Sequence, residues 1–467
     1  MRWPEGLWPV RMARVAVVAP AGALRDALVR VADAGVVELD PGRRPRPGRN
    51  AAADLEPAVL ASAPDPGRPA EWNRPDLAEG EAQVRDRAAG AVRKGHVAAV
   101  VGWMPRAAHA ALAARLAEVG AALVRLPHPR GVEAPTLLQG EEDRRESLRG
   151  SLVPLVATYG PVPYADLDPT PLAWAAYVLM FGIMFGDAGH GLLLLAAAAA
   201  LLAGRPRRAA RLRRAWPFVL GAGITSTAFG VLYGEFFGPT RVVPRLWLSP
   251  LDSPVRLLVF AVGLGAVLLA GAYALGIVNR WREGGWAAAL YEPSGISGAS
   301  VFLGAGALAA GAYFHRPGVA VAGAAVAVLG LVAASIGFFA RAGGGGTGAV
   351  ETVVELFDLV MRLGANVVSF ARLAAFGLTH AALAAVVWTG TAALWHHGGI
   401  ACAVAALVFV FGTTLTFALE ALVAGVQALR LEYYELFSRL FTTQGRPFRP
   451  WHIRMTAEEV DAPCPQV

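Results

Sequence analysis

Apolar residues dominate the chain from Leu172 onward and fall into segments of the length that crosses a membrane. A helix needs roughly 20 apolar residues to span a bilayer, although tilt and breaks at glycine change the required length. We count eight segments: Leu172–Phe185, Ala188–Ala203, Trp216–Phe237, Val255–Val278, Ile296–Phe314, Val319–Ala340, Asn366–Trp395 and Ala401–Leu436. The pattern predicts an all-α membrane domain of about eight transmembrane helices, the last two long and tilted.

The region before these segments has the shorter periodicities of a soluble α/β fold. Apolar runs predict strands, and helical spacing predicts helices. The expected strands are Val15–Val18, Val36–Leu39, Val97–Val101 and Ala122–Leu126, and the expected helices are Leu24–Ala34 and Ala107–Val119. The order predicts two α/β half-units, the first opening as a βαβ unit, in a small N-terminal cytoplasmic domain.

The two half-units are separated by a stretch rich in Pro, Arg, Ala and Gly, about residues 40–86. Its prolines interrupt every heptad, so we expect a linker and not a long coiled coil. The predicted organisation is a cytoplasmic lobe at 1–165, a membrane domain at 166–451 and a cytoplasmic tail at 452–467.

The seventh apolar segment carries a charge inside its sequence. Arg372 lies about two turns from the start of Asn366–Trp395, and His380 follows about two turns later. An arginine at mid-bilayer depth costs between about 3 and 17 kcal/mol, depending on the reference. Such a residue has a partner or a role, or its long side chain reaches the headgroups. Position alone leaves both explanations open.

The last apolar segment carries three polar residues at helical spacing. Glu420 and Gln427 are seven residues apart and share one stripe, and Arg430 adjoins it three residues further on. A lone carboxylate in a helix is often paired and inert. A carboxylate, an amide and an arginine on one side of a helix, next to a helix with Arg372 and His380, favour a lined proton or ion path.

Other polar residues have structural interpretations that compete with a functional one. Asp187 and His190 lie at the turn between the first two segments, where we expect a hairpin cap. Glu235 is equally compatible with capping and with an aqueous path. His396–His397 are adjacent, point different ways on a helix and indicate a cap, so we expect no metal site.

The glycine run before Val350–Leu363 is a hinge and not a phosphate loop. A Walker motif needs Gly-Lys-Ser/Thr, and the single lysine, Lys94, lies in RKGH. Val350–Leu363 is amphipathic and is expected to lie on the cytoplasmic interface. The chain is thus expected to bind no nucleotide and no cofactor.

Composition and charge fit a multi-pass membrane protein. The chain of 467 residues is 55% hydrophobic with a formal net charge of +7, and its mean hydropathy of +0.46 is too high for a soluble globular protein. Arginine in membrane loops accounts for the basic charge without nucleic acid. The densest basic loop, Arg205–Arg214, should be cytoplasmic, which puts both termini on that side. The loop with Arg241 and Arg245 then lies on the outer side, which conflicts with the preference of basic loops for the cytoplasmic side.

Five stretches follow one another in order: TYGPVPYADLDPT from Thr158, FGIMFGDAGHG from Phe181, FGVLYGEFFG from Phe229, ELFDLVMRLGANVVSFARLAAFGLTHAAL from Glu355 and LEALVAGVQALRLEYYELFSRLFTTQGRPFRPW from Leu419. Together they resemble subunit a, called subunit I in bacteria, of the rotary V/A-type ATPases. The resemblance covers nearly all of Thr158–Trp451. It implies that Arg372 faces a rotating proteolipid ring, with His380, Glu420 and Arg430 in the ion path.

The resemblance also implies partners and a location. We expect a stator subunit in the cell (plasma) membrane that couples H⁺ or Na⁺ movement to rotation and has no ATP site of its own. Its partners would be the proteolipid c-ring, the peripheral stalks, a central-stalk d-type subunit, the ATPase headpiece through the stalks, and lipid.

The N-terminal part departs from the family. MARVAVVAPAGALRDALVRVADAGVVELD and HVAAVVGWMPRAAHAALAARLAEVG resemble its two globular lobes, but the long hairpin between them is reduced to the linker. A secondary ion-coupled transporter stays the alternative function, although it should show an internal repeat, and we find none. A membrane scaffold would explain the topology but not Arg372, Glu420 and Arg430 together.

Overall fold

The computed structural model describes residues 8–40, 75–128, 132–138, 148–204, 212–440 and 445–453. Contacts divide the chain into a smaller unit, Pro9–Leu137 with Gly445–Val467, and a larger one, Met1–Trp8 with Leu138–Gln444. Much of the predicted linker (41–74), of the basic loop (205–211) and of the predicted tail (454–467) lies outside the described residues. Each unit has its own hydrophobic core.

The smaller unit is an antiparallel sheet with helices between its strands. Its elements are β1 (Met12–Pro20), α1 (Leu24–Ala34), β2 (Glu38–Leu39), α2 (Pro75–Ala89), β3 (Val92–Lys94), β4 (Val97–Pro105), α3 (His109–Ala117) and β5 (Ala122–Arg125). The strand order is β2-β4-β1-β5, and β3 also pairs with β4. Strand β4 runs antiparallel between β1 and β2. The predicted α/β content of this region is confirmed, but its opening βαβ unit is split by a strand from the second half.

Helix α1 has the predicted bounds because its apolar residues recur at helical spacing. Leu24, Leu28 and Val31 are buried in the core of this unit. The helix ends at Gly35, whose φ of 58° puts it in the left-handed region. Glycine adopts that conformation without a Cβ penalty, so the cap stops the helix there.

The end of the predicted linker is wrong, because residues 75–89 form helix α2. Its sequence, AEGEAQVRDRAA after the first turn, consists mainly of good helix formers. The helix is attached to α1 by Glu81, whose carboxylate accepts hydrogen bonds from Arg25 Nε at 3.1 Å and Nη2 at 3.0 Å. Tertiary contacts therefore order a segment that composition alone assigned to the linker.

The regular secondary structure of the larger unit is entirely helical in its described part. Its helices are α4 (Leu148–Tyr159), α5 (Thr170–Met184), α6 (Ala188–Leu202), α7 (Trp216–Tyr233), α8 (Pro254–Tyr291), α9 (Ile296–Tyr313), α10 (Pro317–Arg341), α11 (Gly345–Ser369), α12 (Ala371–Trp395) and α13 (Ile400–Leu431), followed by a π-helix (Glu432–Phe437) and the short α14 (Ser438–Leu440). Each of the eight predicted segments is thus largely helical.

Six helical stretches of the described chain are long and apolar enough to cross a membrane. They are Leu212–Tyr233, Pro254–Tyr291, Ile296–Tyr313, Pro317–Arg341, Gly345–Trp395 and Ile400–Leu440. Helices α5 and α6 are apolar but have 15 residues each, which is about 22 Å of helix against a hydrocarbon core of about 30 Å. The multi-pass helical domain is supported, while the count of eight spans is not confirmed.

The predicted helix 366–395 is interrupted near its start. Residues up to Ser369 belong to α11, and α12 begins at Ala371. At the junction, the N–H of Phe370 donates to Val367 O at 3.2 Å and that of Leu373 to Phe370 O at 3.0 Å, so the turn tightens to the i→i+3 pattern. Arg372 therefore lies in the first turn of a new helix and not two turns inside an old one.

Helices α6 and α7 approach so closely that glycine is required between them. A Cβ on Gly230 of α7 would lie 2.0 Å from the backbone nitrogen of Ala188. No real Cβ contact is that short, and neither backbone has room to retreat. The glycine therefore brings α7 directly against the turn that precedes α6, where Asp187 is found.

A buried carboxyl group lies in the loop between α4 and α5. Asp166 is fully buried, and the neighbouring Leu167 N–H donates to Asn279 Oδ1 on α8 at 3.1 Å. Burial and the nearby Glu283 carboxylate raise the pKa of Asp166 to about 8, against the opposing effect of Arg280. Asp166 is consequently neutral near pH 7 in the folded chain.

Candidate functional site

Arg372 is held by its own helix junction and by a carboxylate. Its Nε donates to Ser369 O at 3.1 Å, and its Nη2 contacts Ser369 Oγ and donates to Glu435 Oε1 at 3.1 Å. Ser369 ends α11, so the guanidinium takes up a carbonyl that the helix end leaves without an intrahelical partner. Among the described residues no acceptor is found for the N–H groups of Nη1, and the Arg372 side chain is 28% exposed.

Glu435 lies at the centre of a polar network in the π-helix. It is 8% exposed and also contacts Ser369 Oγ. With its amide oriented to suit its neighbours, Asn366 donates to Glu435 Oε2 at 3.2 Å and accepts from Arg439 at 3.0 Å. A buried carboxylate is stable when each oxygen has partners, and this one has them on both. The network joins α11, α12 and the C-terminal segment.

A second polar cluster lies further along α12. Nδ1 of His380 contacts Oε2 of Glu420 on α13, so the sequence-predicted pair is brought together by the packing of these two helices. The side chain of His380 is 2% exposed and that of Glu420 is 12% exposed. Eight residues separate Arg372 from His380, which is about 12 Å along a helix. The two clusters are therefore neighbours along one helix without direct contact.

Asp187 is the N-cap of α6, as predicted, and has more partners than a cap alone requires. Its carboxylate accepts from the N–H of His190 at 2.9 Å, of Phe237 at 3.0 Å and of Gly238 at 2.8 Å. Three backbone donors to one carboxylate fix its position. The carboxylate thereby ties the start of α6 to the loop after α7, with no exposure of its own.

His190 extends this second cluster from α6 toward α12. Its ring lies 5.6 Å from that of His380, centroid to centroid, and 3.6 Å separate its Nδ1 from Asp187 Oδ1. The surrounding rings are those of Phe185, Phe237 and Phe417, at 5.5, 5.2 and 5.5 Å. Neither His190 nitrogen has a hydrogen-bond partner in the described part of the chain. An unpaired buried polar atom costs about 1–3 kcal/mol.

Two of the predicted site residues stay apart from both clusters. Gln427 is partly buried on α13, and its Oε1 has no hydrogen-bond partner within the described ranges. Arg430 is exposed on the same helix. No hydrogen bond between Arg430 and Gln427 is found among the described residues. Their roles stay predictions.

Comparison with known proteins finds similarity to a membrane subunit of rotary ATPases. Residues 102–243 match the model of the V-type ATPase 116kDa subunit family, a range that contains Asp187, His190 and Glu235. The A-type ATP synthase subunit I of Pyrococcus horikoshii is 28% identical over 319 residues, which are 66% of this chain and 46% of that protein. This chain is a relative of subunit I.

Two further relatives agree with that placement. The A-type ATP synthase subunit I of Aeropyrum pernix is 28% identical over 368 residues, 69% of this chain and 52% of that protein. The V-type ATP synthase subunit I 2 of Treponema pallidum is 34% identical over 219 residues, 40% of this chain and 47% of that protein. The chain spans about half the length of the curated relatives it matches. The resemblance recognised in its sequence motifs is confirmed.

In this subunit I relative, three of the residues that build the site are not assigned to it from the sequence. Glu435 was not singled out, and Asp187 and His190 were interpreted as a hairpin cap. A signal existed for Glu435, since it is a carboxylate in the apolar end of the last segment. None existed for the proximity of His190 to His380, which are separated by many helices in the sequence. Chemically, the site combines a fixed, partly exposed cation with a buried, acid-rich histidine pair.

Proposed function

We propose that the chain is the membrane stator subunit of a rotary ATPase, in which it lines two ion half-channels and faces the proteolipid ring. The observation that carries the proposal is the setting of Arg372. Its guanidinium is fixed through Nε and Nη2, while the side chain keeps 28% exposure and Nη1 is left for a partner outside the described chain. A carboxylate of a neighbouring subunit fits that remaining donor.

The surface of the last long helix supports a ring or lipid partner. Only 11% of the most apolar window of Ile400–Leu440 is buried within the chain. Its exposed large side chains include Leu407, Val410, Phe411, Leu415, Leu419, Leu422 and Val426. A contiguous apolar face of this size requires cover by lipid or by another apolar helix surface.

Arginine suits a barrier between two half-channels because it keeps its proton. A ring carboxylate that arrives protonated meets the guanidinium, and the positive charge favours the ionised carboxylate. At about 4 Å and an effective dielectric constant near 20, that attraction is about 4 kcal/mol before desolvation offsets part of it. The released ion leaves by one half-channel, and another enters from the opposite side.

The His380–Glu420 pair would carry protons along one half-channel. Both side chains are buried among apolar helices, and an intramembrane carboxylate next to an imidazole is a typical proton relay. Asp187 and His190 extend this polar line toward the start of α6. The partners expected from the sequence, namely the c-ring, the stalk subunits and the headpiece, belong to this proposal, as does the cytoplasmic side of both termini.

The test compares two conservative substitutions in the assembled complex. We expect Arg372→Lys to abolish ATP-driven ion uptake into vesicles, because lysine is a compact, strongly hydrated charge that can lose its proton when desolvated. Arg430→Lys is the matched control and should retain partial pumping, since Arg430 is exposed. Co-purification of the ring checks assembly. Equal pumping by the two assembled variants would refute the barrier role of Arg372.

A further inference from the structure

Three side chains that bind metals meet between α6 and α12. Asp187, His190 and His380 each offer one ligand atom, and these atoms all lie within 4.8 Å of one another. All three residues are buried, with exposed fractions of 0%, 1% and 2%. The cluster joins the N-terminus of α6 to the middle of α12, so tertiary packing alone assembles it.

The imidazoles are unusual because they have free nitrogens in an apolar surrounding. Among the described residues, no hydrogen-bond partner is found for Nδ1 or Nε2 of His190 or for Nε2 of His380. Three phenylalanine rings surround His190 and supply no acceptor. Buried histidine nitrogens normally have a partner. A metal ion, which accepts electron pairs, would bind one nitrogen of each of the two rings.

We propose that Asp187, His190 and His380 bind a divalent transition-metal ion, with Zn²⁺ as the best match. Two imidazoles and one carboxylate form a donor set typical of zinc, whereas Mg²⁺ and Ca²⁺ prefer oxygen ligands alone. Ligand atoms of a tetrahedral zinc ion lie about 3.4 Å apart, as Zn–N bonds of about 2.0–2.1 Å require. Small side-chain rotations would close the cluster to that size.

The surroundings of the three residues are those of a supported metal site. Glu420 contacts Nδ1 of His380, which leaves Nε2 for the metal. A carboxylate on the far nitrogen of a ligating histidine orients the ring and raises its basicity. Asp187 is fixed by three backbone N–H groups, so one ligand is already in place.

A metal ion bound to Asp187, His190 and His380 would lie on the proton path that we propose to run through His380. The consequence, inhibition of ion transport by Zn²⁺, rests on the proposed function. Metal binding does not, because it follows from the donor atoms alone. The two parts can therefore fail separately.

The binding test uses the purified full chain in detergent, dialysed against Zn²⁺ and then against metal-free buffer. We expect wild type and His397→Gln to retain one Zn²⁺ per chain, and His190→Gln and His380→Gln to retain none. His397 is an exposed histidine whose Nδ1 lies 2.8 Å from Ala393 O, which makes it a matched control. Glu420→Gln should weaken binding by about 10–100-fold, the usual effect of losing an outer partner.

Zinc-edge X-ray absorption of the wild-type protein gives a measurement that needs no variant. Two imidazole nitrogens and at least one oxygen around the metal are expected. A wild type that retains no Zn²⁺, a bound ion without imidazole ligands, or full retention by a folded His190→Gln chain would each overturn the site. Zn²⁺ bound at this site without slowing ATP-driven ion uptake by the assembled complex would leave the site intact and refute its position in the ion path.

Discussion

The pair formed by Arg372 and Glu435 should show strong energetic coupling in the isolated chain. The perturbation is a double-mutant cycle of Arg372→Gln, Glu435→Gln and the two together. Glutamine has the shape of glutamate without its charge; in place of arginine it is shorter, and it removes the charge while keeping a polar amide. Coupling energy isolates the interaction from whatever each single change does elsewhere.

The magnitude follows from distance and burial. Two unit charges 3.1 Å apart attract by about 5 kcal/mol at an effective dielectric constant near 20. Desolvation of Glu435, which is 8% exposed, and solvent screening of Arg372, which is 28% exposed, offset part of this attraction. We therefore expect a coupling energy of about 2–3 kcal/mol, between the values for surface and fully buried pairs.

An exposed ion pair of the same chain provides the control. Arg245 and Asp252 lie 2.6 Å apart, closer than the pair under test, but their side chains are 56% and 60% exposed. The same cycle there should give less than about 1 kcal/mol. The comparison separates the effect of burial from that of distance.

The assay is equilibrium unfolding of the purified chain in mixed micelles, followed by circular dichroism as denaturing detergent is added. A coupling energy for Arg372 and Glu435 that is no larger than the control value would refute the reasoning. It would mean that Glu435 does not hold the guanidinium, and that the fixed position of Arg372 has another origin.

Three further predictions concern packing, pH and topology. Gly230→Ala should destabilise the chain by about 3 kcal/mol, because its Cβ meets the Ala188 backbone. Gly263→Ala, whose Cβ would have nothing within 4 Å, should be neutral or stabilising, and the melting temperatures of the two variants distinguish these outcomes. Asp166 keeps its proton to about pH 8 when folded but loses it near pH 4 when unfolded, so the folded state binds more protons and the free energy of unfolding should fall between about pH 5 and 8. Asp166→Asn should flatten that fall, and an equal fall of the melting temperature with pH in wild type and variant would contradict the prediction. A cysteine placed at Ala209 should escape an impermeant reagent in intact cells, since the basic loop is expected in the cytoplasm; its labelling would overturn the topology.

Local periodicity was sufficient for much of the secondary structure. Helix α1 begins and ends at the predicted residues because its apolar residues recur at helical spacing and a capping glycine follows its last residue directly. The apolar segments are helical for a different local reason: a backbone in an apolar surrounding must satisfy its own hydrogen bonds, and a helix does so within one segment. Sheet order was not accessible in this way. Strand β4 separates β1 from β2 because pairing depends on contacts between distant segments.

The candidate site also has a part that is accessible from the sequence and a part that depends on tertiary packing. The sequence alone singles out Arg372, His380 and Glu420 as candidates, because a charged or titratable group in an apolar helix is costly wherever the helix packs. Only the tertiary structure decided their partners. Glu435 reaches Arg372 from another helix, and His190 meets His380 across α6 and α12. Such contacts depend on helix packing at close range, which depends on shape complementarity between distant surfaces and leaves no periodic trace in the chain.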